Sequence, residues 1–130
     1  MIYPITPCPK PRMTRSDKWK RRPCVMRYRA FCDEVRARGM AIPEGGATVV
    51  FRLPMPKSWS KKKRAEMNGR PHKQKPDVDN CAKALLDAMY ADDSHIHTIA
   101  LRKVWAESGS IEIREWDFGD PWPGDCDEAA

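Results

Sequence analysis

Lys75-Pro76-Asp77-Val78-Asp79-Asn80-Cys81-Ala82-Lys83-Ala84-Leu85-Leu86-Asp87-Ala88-Met89 holds both the start of a helix and a charged face upon it. Pro76 disfavours helical geometry at Lys75, so a helix begins only at or just after it. Asp77 suits the N-cap, where carboxylate oxygens accept the first free backbone N–H groups. From Asp79 the pattern is helical. Ala82, Leu85, Leu86 and Met89 recur at i, i+3, i+4 and i+7 as one apolar stripe. At about 100° per residue, Asp79, Lys83 and Asp87 share an arc of about 80° away from that stripe. The helix therefore packs one side into a core and presents a carboxylate–lysine ladder on the other. Asp92-Asp93 follows a few residues later.

Carboxylates converging near a lysine suit a hard cation such as Mg²⁺, which takes oxygen ligands, keeps several waters and uses one or two protein carboxylates beside substrate phosphates. The same residues also read as an ordinary helix start, with an Asp cap and an i, i+4 Asp79–Lys83 surface pair.

Charge around this motif is uneven. Residues 10–38 hold eleven basic against three acidic side chains, and residues 57–75 hold eight against one. Residues 107–130 reverse the balance, with one basic and eight acidic. Two basic blocks beside a carboxylate cluster point toward nucleic acid. The 130-residue length fits one domain over residues 1–118, followed by an acidic tail at 119–130 with the composition of a mobile segment. The five cysteines form no C-x-x-C pair, so a reduced chain without structural zinc is expected. No apolar run approaches the ~18 residues of a membrane span.

Working outward, Ile2-Tyr3-Pro4-Ile5-Thr6 reads as an edge strand, since Pro4 cannot donate to a ladder. A stiff Pro7–Arg12 connection leads to a basic loop in which Trp19 is a candidate for stacking or for packing on its own domain. Pro23 opens a helix to about Arg38, stopped by Gly39, with Val25, Tyr28, Cys32 and Val35 inward and a Glu34–Arg38 pair outside. Ala47–Leu53 is the clearest strand and belongs in the centre of a sheet. Lys61-Lys62-Lys63-Arg64 opens a short helix capped by Ser60 or Ser58 and ended by Gly69. Four adjacent cations repel one another unless an anion or solvent screens them. His95–Ala106 and Ser110–Trp116 read as a β-hairpin about Glu107-Ser108-Gly109. His95 and His97 share a strand face in this reading and are taken as ordinary polar residues.

These elements imply an α+β two-layer sandwich: a small mixed sheet of about four strands, with two main helices on one face. The opposite, apolar face favours a homodimer.

Lys75-Pro76-Asp77-Val78-Asp79-Asn80-x-x-Lys83-x-x-x-Asp87-Ala88 with Asp92-Asp93 resembles the RusA family of Holliday-junction resolvases. Pro9–Arg15 and Pro56–Arg64 resemble segments of its bacteriophage and prophage members, and the likeness covers residues 2–116. It implies a magnesium-dependent homodimer that nicks opposed strands of a four-way DNA junction in recombination and repair. It also implies the cytoplasm of a bacterium or phage-infected cell, with neither membrane nor small-molecule cofactor. By motif position, Asp77, Asp79 and Asp93 resemble the family's metal-binding carboxylates, and Lys83 its essential lysine. Asp87 and Asp92 carry no assigned role. Candidate DNA contacts are Arg12, Arg15, Lys61, Lys62, Lys63, Arg64, Lys73 and Lys75. From the residues alone, two other readings stand: a non-catalytic DNA- or RNA-binding module, and a metal nuclease for flaps or single strands.

Overall fold

The run Ala47-Thr48-Val49-Val50-Phe51-Arg52-Leu53 demands burial on more than one side, and the structure supplies it. In this computed structural model, which describes residues 1–12 and 22–116, strand β2 (Ala47–Pro54) lies inside a four-stranded mixed sheet. The chain runs β1 (Ile2–Tyr3), α1 (Pro23–Ala37), β2, α2 (Lys61–Met67), α3 (Val78–Met89), β3 (Ile99–Ala106) and β4 (Ser110–Glu115). The sheet order is β1-β4-β2-β3, with β2 parallel to β3 and antiparallel to β4. Arg15, Trp19 and the acidic tail lie outside the described residues.

Ala47, Val49 and Phe51 alternate toward one face of β2, where all three are fully buried with Ile111 of β4. Helices α1 and α3 cover this face. In α1 the expected stripe is buried together with Phe31, and Arg38 pairs with Glu34 at 3.2 Å. Of the expected α3 stripe, Ala82 and Leu85 are buried and Leu86 and Met89 are half-buried against the core, while Cys81, Ala84 and Ala88 widen the buried face. Ala84 and Ala88 let the helix approach its neighbours closely. Arg36 of α1 donates to the Ala88 carbonyl at 3.1 Å and ties the two helices together.

The expected hairpin does not form, because β2 separates β3 from β4. Adjacent strands lie about 4.8 Å apart, so stepping over one strand covers about 10 Å. The link from Ala106 to Ser110 reaches that far, at up to ~3.5 Å per residue. Gly109 makes the step possible where the chain brushes Thr6: a Cβ there would fall 2.3 Å from Thr6 Oγ1. The far edge of β3 is closed by residues 69–72, which exchange backbone hydrogen bonds with Trp105 and Lys103. β3 also starts later than expected, at Ile99, and β1 is shorter than expected. Before β3, a turn over residues 92–96 takes the chain out of extended geometry, with Ile96 N–H donating to the Asp93 carbonyl.

The second sheet face also departs from expectation. It is not an apolar plate: Arg52, Arg102, Glu112 and Arg114 alternate onto it beside Val50 and Val104. Glu112 accepts from Arg52 at 2.6 Å and from Arg114, and these bonds hold its carboxyl down to about 2.

Gly46 enters β2 at φ +104°, and a Cβ there would lie 2.7 Å from the Thr98 carbonyl oxygen. That carbonyl accepts the Ala47 N–H at 3.1 Å, so it cannot retreat without breaking the first β2–β3 contact. Gly46→Ala is expected to cost about 1–3 kcal/mol, read as a lower midpoint of thermal unfolding.

Candidate functional site

The loop Lys73–Pro76 delivers the chain to α3, and Lys103 of β3 holds it in place by donating through Nζ to the Gln74 and Pro76 carbonyls. This anchoring holds the loop that leads into α3. Asp77 occupies the N-cap position as its place after Pro76 predicts, yet its carboxylate caps no backbone N–H. Asp79, in the first turn, forms no ion pair with Lys83 or with any other described residue. Neither element of the ordinary reading, the Asp cap or the Asp79–Lys83 pair, is therefore formed.

Asp77 and Asp79 are exposed and line one open cleft of about 630 Å³ together with His72, Lys73, Lys75, Arg102 and Lys103. Two carboxylates thus stand without protein partners among cations. Beneath them Cys81 is fully buried, and burial pushes its thiol up to about 11, so it is a packing residue and not a nucleophile.

The other members of the motif divide clearly. Lys83 is exposed one turn beyond Asp79 and makes no ion pair among the described residues. Asp87 pairs with Lys10 at 2.6 Å, which gives it a structural role and pins the Pro9-Lys10-Pro11 connection onto α3. Asp92 accepts the Ser94 N–H at 2.9 Å, and that bond lowers its carboxyl below the usual range. Its neighbour Asp93 is exposed in the loop after α3 and has no such bond. Among the described residues no three His, Cys, Asp or Glu side chains are gathered as a metal group. The structure thus brings Asp77 and Asp79 together and leaves Asp93 in the following loop.

Of the basic candidates, Lys73 and Lys75 line the cleft directly. In α2 the four cations are not equivalent. Arg64 is engaged with Glu107 at 3.2 Å, and Lys63 Nζ sits 4.3 Å over the Trp59 ring. Lys61 and Lys62 project freely from the helix, whose N-cap Ser60 accepts the Lys63 N–H. Arg12 is exposed, with its carbonyl accepting from Arg22 at 2.9 Å.

Three cleft residues were missed by the sequence reading. Arg102 and Lys103 interrupt an otherwise apolar strand, a signal that was available. His72 had no such signal. It is buried against Trp105, ring centroids 4.0 Å apart, and desolvation followed by the charge of Lys103 lowers its pKa. His95 and His97 do not share a strand face: His97 contacts Thr98 Oγ1 and the Glu44 carbonyl, while His95 meets the Tyr90 ring edge-on.

Residues 3–114 match a protein-family model described as endodeoxyribonuclease RusA. No curated protein and no solved structure matches the chain. No helix among the described residues is long and apolar enough to cross a membrane.

Proposed function

Because this chain belongs to the RusA endodeoxyribonuclease family, we propose that it resolves four-way DNA junctions by paired nicks, as a homodimer dependent on a divalent metal such as Mg²⁺. The observation that carries this reading is the pair of unpartnered carboxylates, Asp77 and Asp79, in a cleft lined by cations. A non-catalytic module would spend these carboxylates on caps and ion pairs, and neither is spent so.

The donor set fits the metal. Asp77 and Asp79 offer hard oxygen ligands on one cleft, and Mg²⁺ is commonly held by one or two carboxylates plus a substrate phosphate. Asp93 is proposed as a further carboxylate from the loop after α3. A bound metal would acidify a water molecule and stabilise charge developing on the phosphate. The chain's own residues do the rest. Lys73 and Lys75 hold the backbone phosphates across the cleft, and Lys103 keeps the loop carrying Lys75 and Asp77 in register. Lys83 presents a free ammonium on the Asp79 side of α3, where it offsets negative charge on the phosphate.

One site cuts one strand, whereas a junction needs two opposed cuts, and a two-fold dimer supplies the second site. The dimer is argued from this chemistry, since the sheet face that suggested it carries arginines.

The direct test is incubation with a synthetic four-way junction, with and without Mg²⁺, against fork, flap and duplex competitors, with the protein's mass taken by light scattering. Metal-dependent symmetric nicks by a species of twice the 14.9 kDa chain are expected. Preferential cutting of flaps, or a monomer that nicks junctions in pairs, would overturn the reading.

Lys61 and Lys62 bear on DNA binding alone. Replacing both with Ala should flatten the salt dependence of junction affinity by roughly 0.9 log units for each phosphate that the variant no longer neutralises. Arg64→Ala should instead act mainly on stability, because Arg64 is tied to Glu107. An unchanged slope for the double variant would make this end of α2 a solvated face.

A further inference from the structure

Beside the carboxylate cleft lies a second pocket of different character. Trp59 and Trp105 stand with ring centroids 4.8 Å apart at 57°, and Lys63, Arg70 and Lys73 line the same space of about 320 Å³. Lys73 and Gln74 belong to both pockets, so the two cavities are contiguous. Trp105 is 5% exposed and acts as an inner wall, whereas Trp59 is half-buried and reachable.

The combination restricts the occupant. A phosphate alone needs cations and gains nothing from indole walls. A paired base is hidden in its stack and cannot enter. An unpaired nucleotide has both required parts, an aromatic plane and a negative charge one backbone link away. Aromatic side chains beside a basic groove are a general means of holding such bases. The volume is at the small end for ligand pockets, which suits one base and not a duplex. Lys63 Nζ lies over the Trp59 ring, and its flexible stem allows a base to take that place while the ammonium moves to a phosphate.

We infer that this pocket receives one unpaired nucleobase of the bound strand, stacked on Trp59, while Lys73 holds the phosphate leading into the Asp77–Asp79 cleft. The identity of that strand as DNA rests on the function proposed above. Branch points are where unpaired bases occur beside a duplex, so the pocket would make cutting sensitive to the nucleotide near the broken bond.

Binding without divalent metal tests this apart from cleavage. Fluorescence anisotropy would compare a labelled oligothymidylate with an abasic deoxyribose-phosphate strand of equal length and charge. The wild-type chain should prefer the base-bearing strand by about tenfold. Trp59→Leu should remove that preference by weakening only the base-bearing strand, and Trp59→Phe should keep most of it. Equal wild-type affinity for the two strands overturns the inference, and this arm stands even if Trp59→Leu does not fold. Equal weakening of both strands by Trp59→Leu, or no effect on either, would make Trp59 a packing lid on Trp105. Junction cleavage by the same wild-type preparation reports separately on the proposed activity.

Discussion

Asp79→Asn is expected to lower cleavage of a four-way junction by roughly three orders of magnitude, since metal stabilisation of developing charge is worth several kcal/mol and each ~1.4 kcal/mol is tenfold in rate. The loss should come without a loss of fold. Asp79 is exposed and has no ion-pair partner among the described residues, so its replacement stays within about 0.5 kcal/mol in stability. Junction affinity should hold or rise, because one negative charge leaves a cleft meant for phosphate. Asp77→Asn should behave alike, as its carboxylate caps nothing. Asp87→Asn is the contrasting variant: it breaks the Lys10 pair and costs up to about 1 kcal/mol of stability. Single-turnover cleavage, thermal unfolding and junction binding separate these cases. Near-normal turnover by Asp79→Asn would sink the metal-site assignment.

Glu112→Ala is expected to cost about 2–3 kcal/mol, through the mechanism of a half-buried charge network that loses its centre. Glu112 is 7% exposed and accepts from both Arg52 and Arg114. One Arg52 terminal nitrogen is already buried without a partner, so removing the carboxylate strands the guanidinium further. The figure is held below that of a fully buried pair because Arg114 is 60% exposed and screened by water. The sign of the pH dependence follows. The folded pKa is about 2 against an ordinary 4.5, chiefly through the Arg114 hydrogen bond, so the unfolded chain binds the proton first. The stabilisation is complete above pH 4.5 and is lost as pH falls toward 2. Thermal midpoints between those limits should fall steeply for the wild type and less steeply for Glu112→Ala. Parallel curves would place the acid sensitivity elsewhere.

Much of the fold was legible because it depends on local rules. Pro23 at a first helical turn and Pro76 before α3 mark starts by backbone geometry, and Ser60 marks one by its side-chain cap. Asp77 and Asp79 were legible as a pair because two residues at a helix start cannot be far apart. The free state of their carboxylates was not. Lys103, on a strand some 25 residues later, ties down the loop before Asp77, and the Asp77 carboxylate makes no cap there.

From sequence alone came the element types, the central place of β2, the family likeness and the carboxylate–lysine motif. The element types and the motif are encoded in residues close together in the chain. Strand order and its consequences belonged to the tertiary structure. A three-residue link serves a hairpin or a step over one strand about equally well, and only the fit of β2 between β3 and β4 selects the second. That choice, with residues 69–72 closing the edge of β3, brings His72, Arg102 and Lys103 to the cleft and sets Trp59 against Trp105. It also places Arg52, Glu112 and Arg114 on one face, from three positions whose periodicity reads only as alternation. Periodicity says which side of a strand a residue takes; pairing across the sheet decides what it meets there.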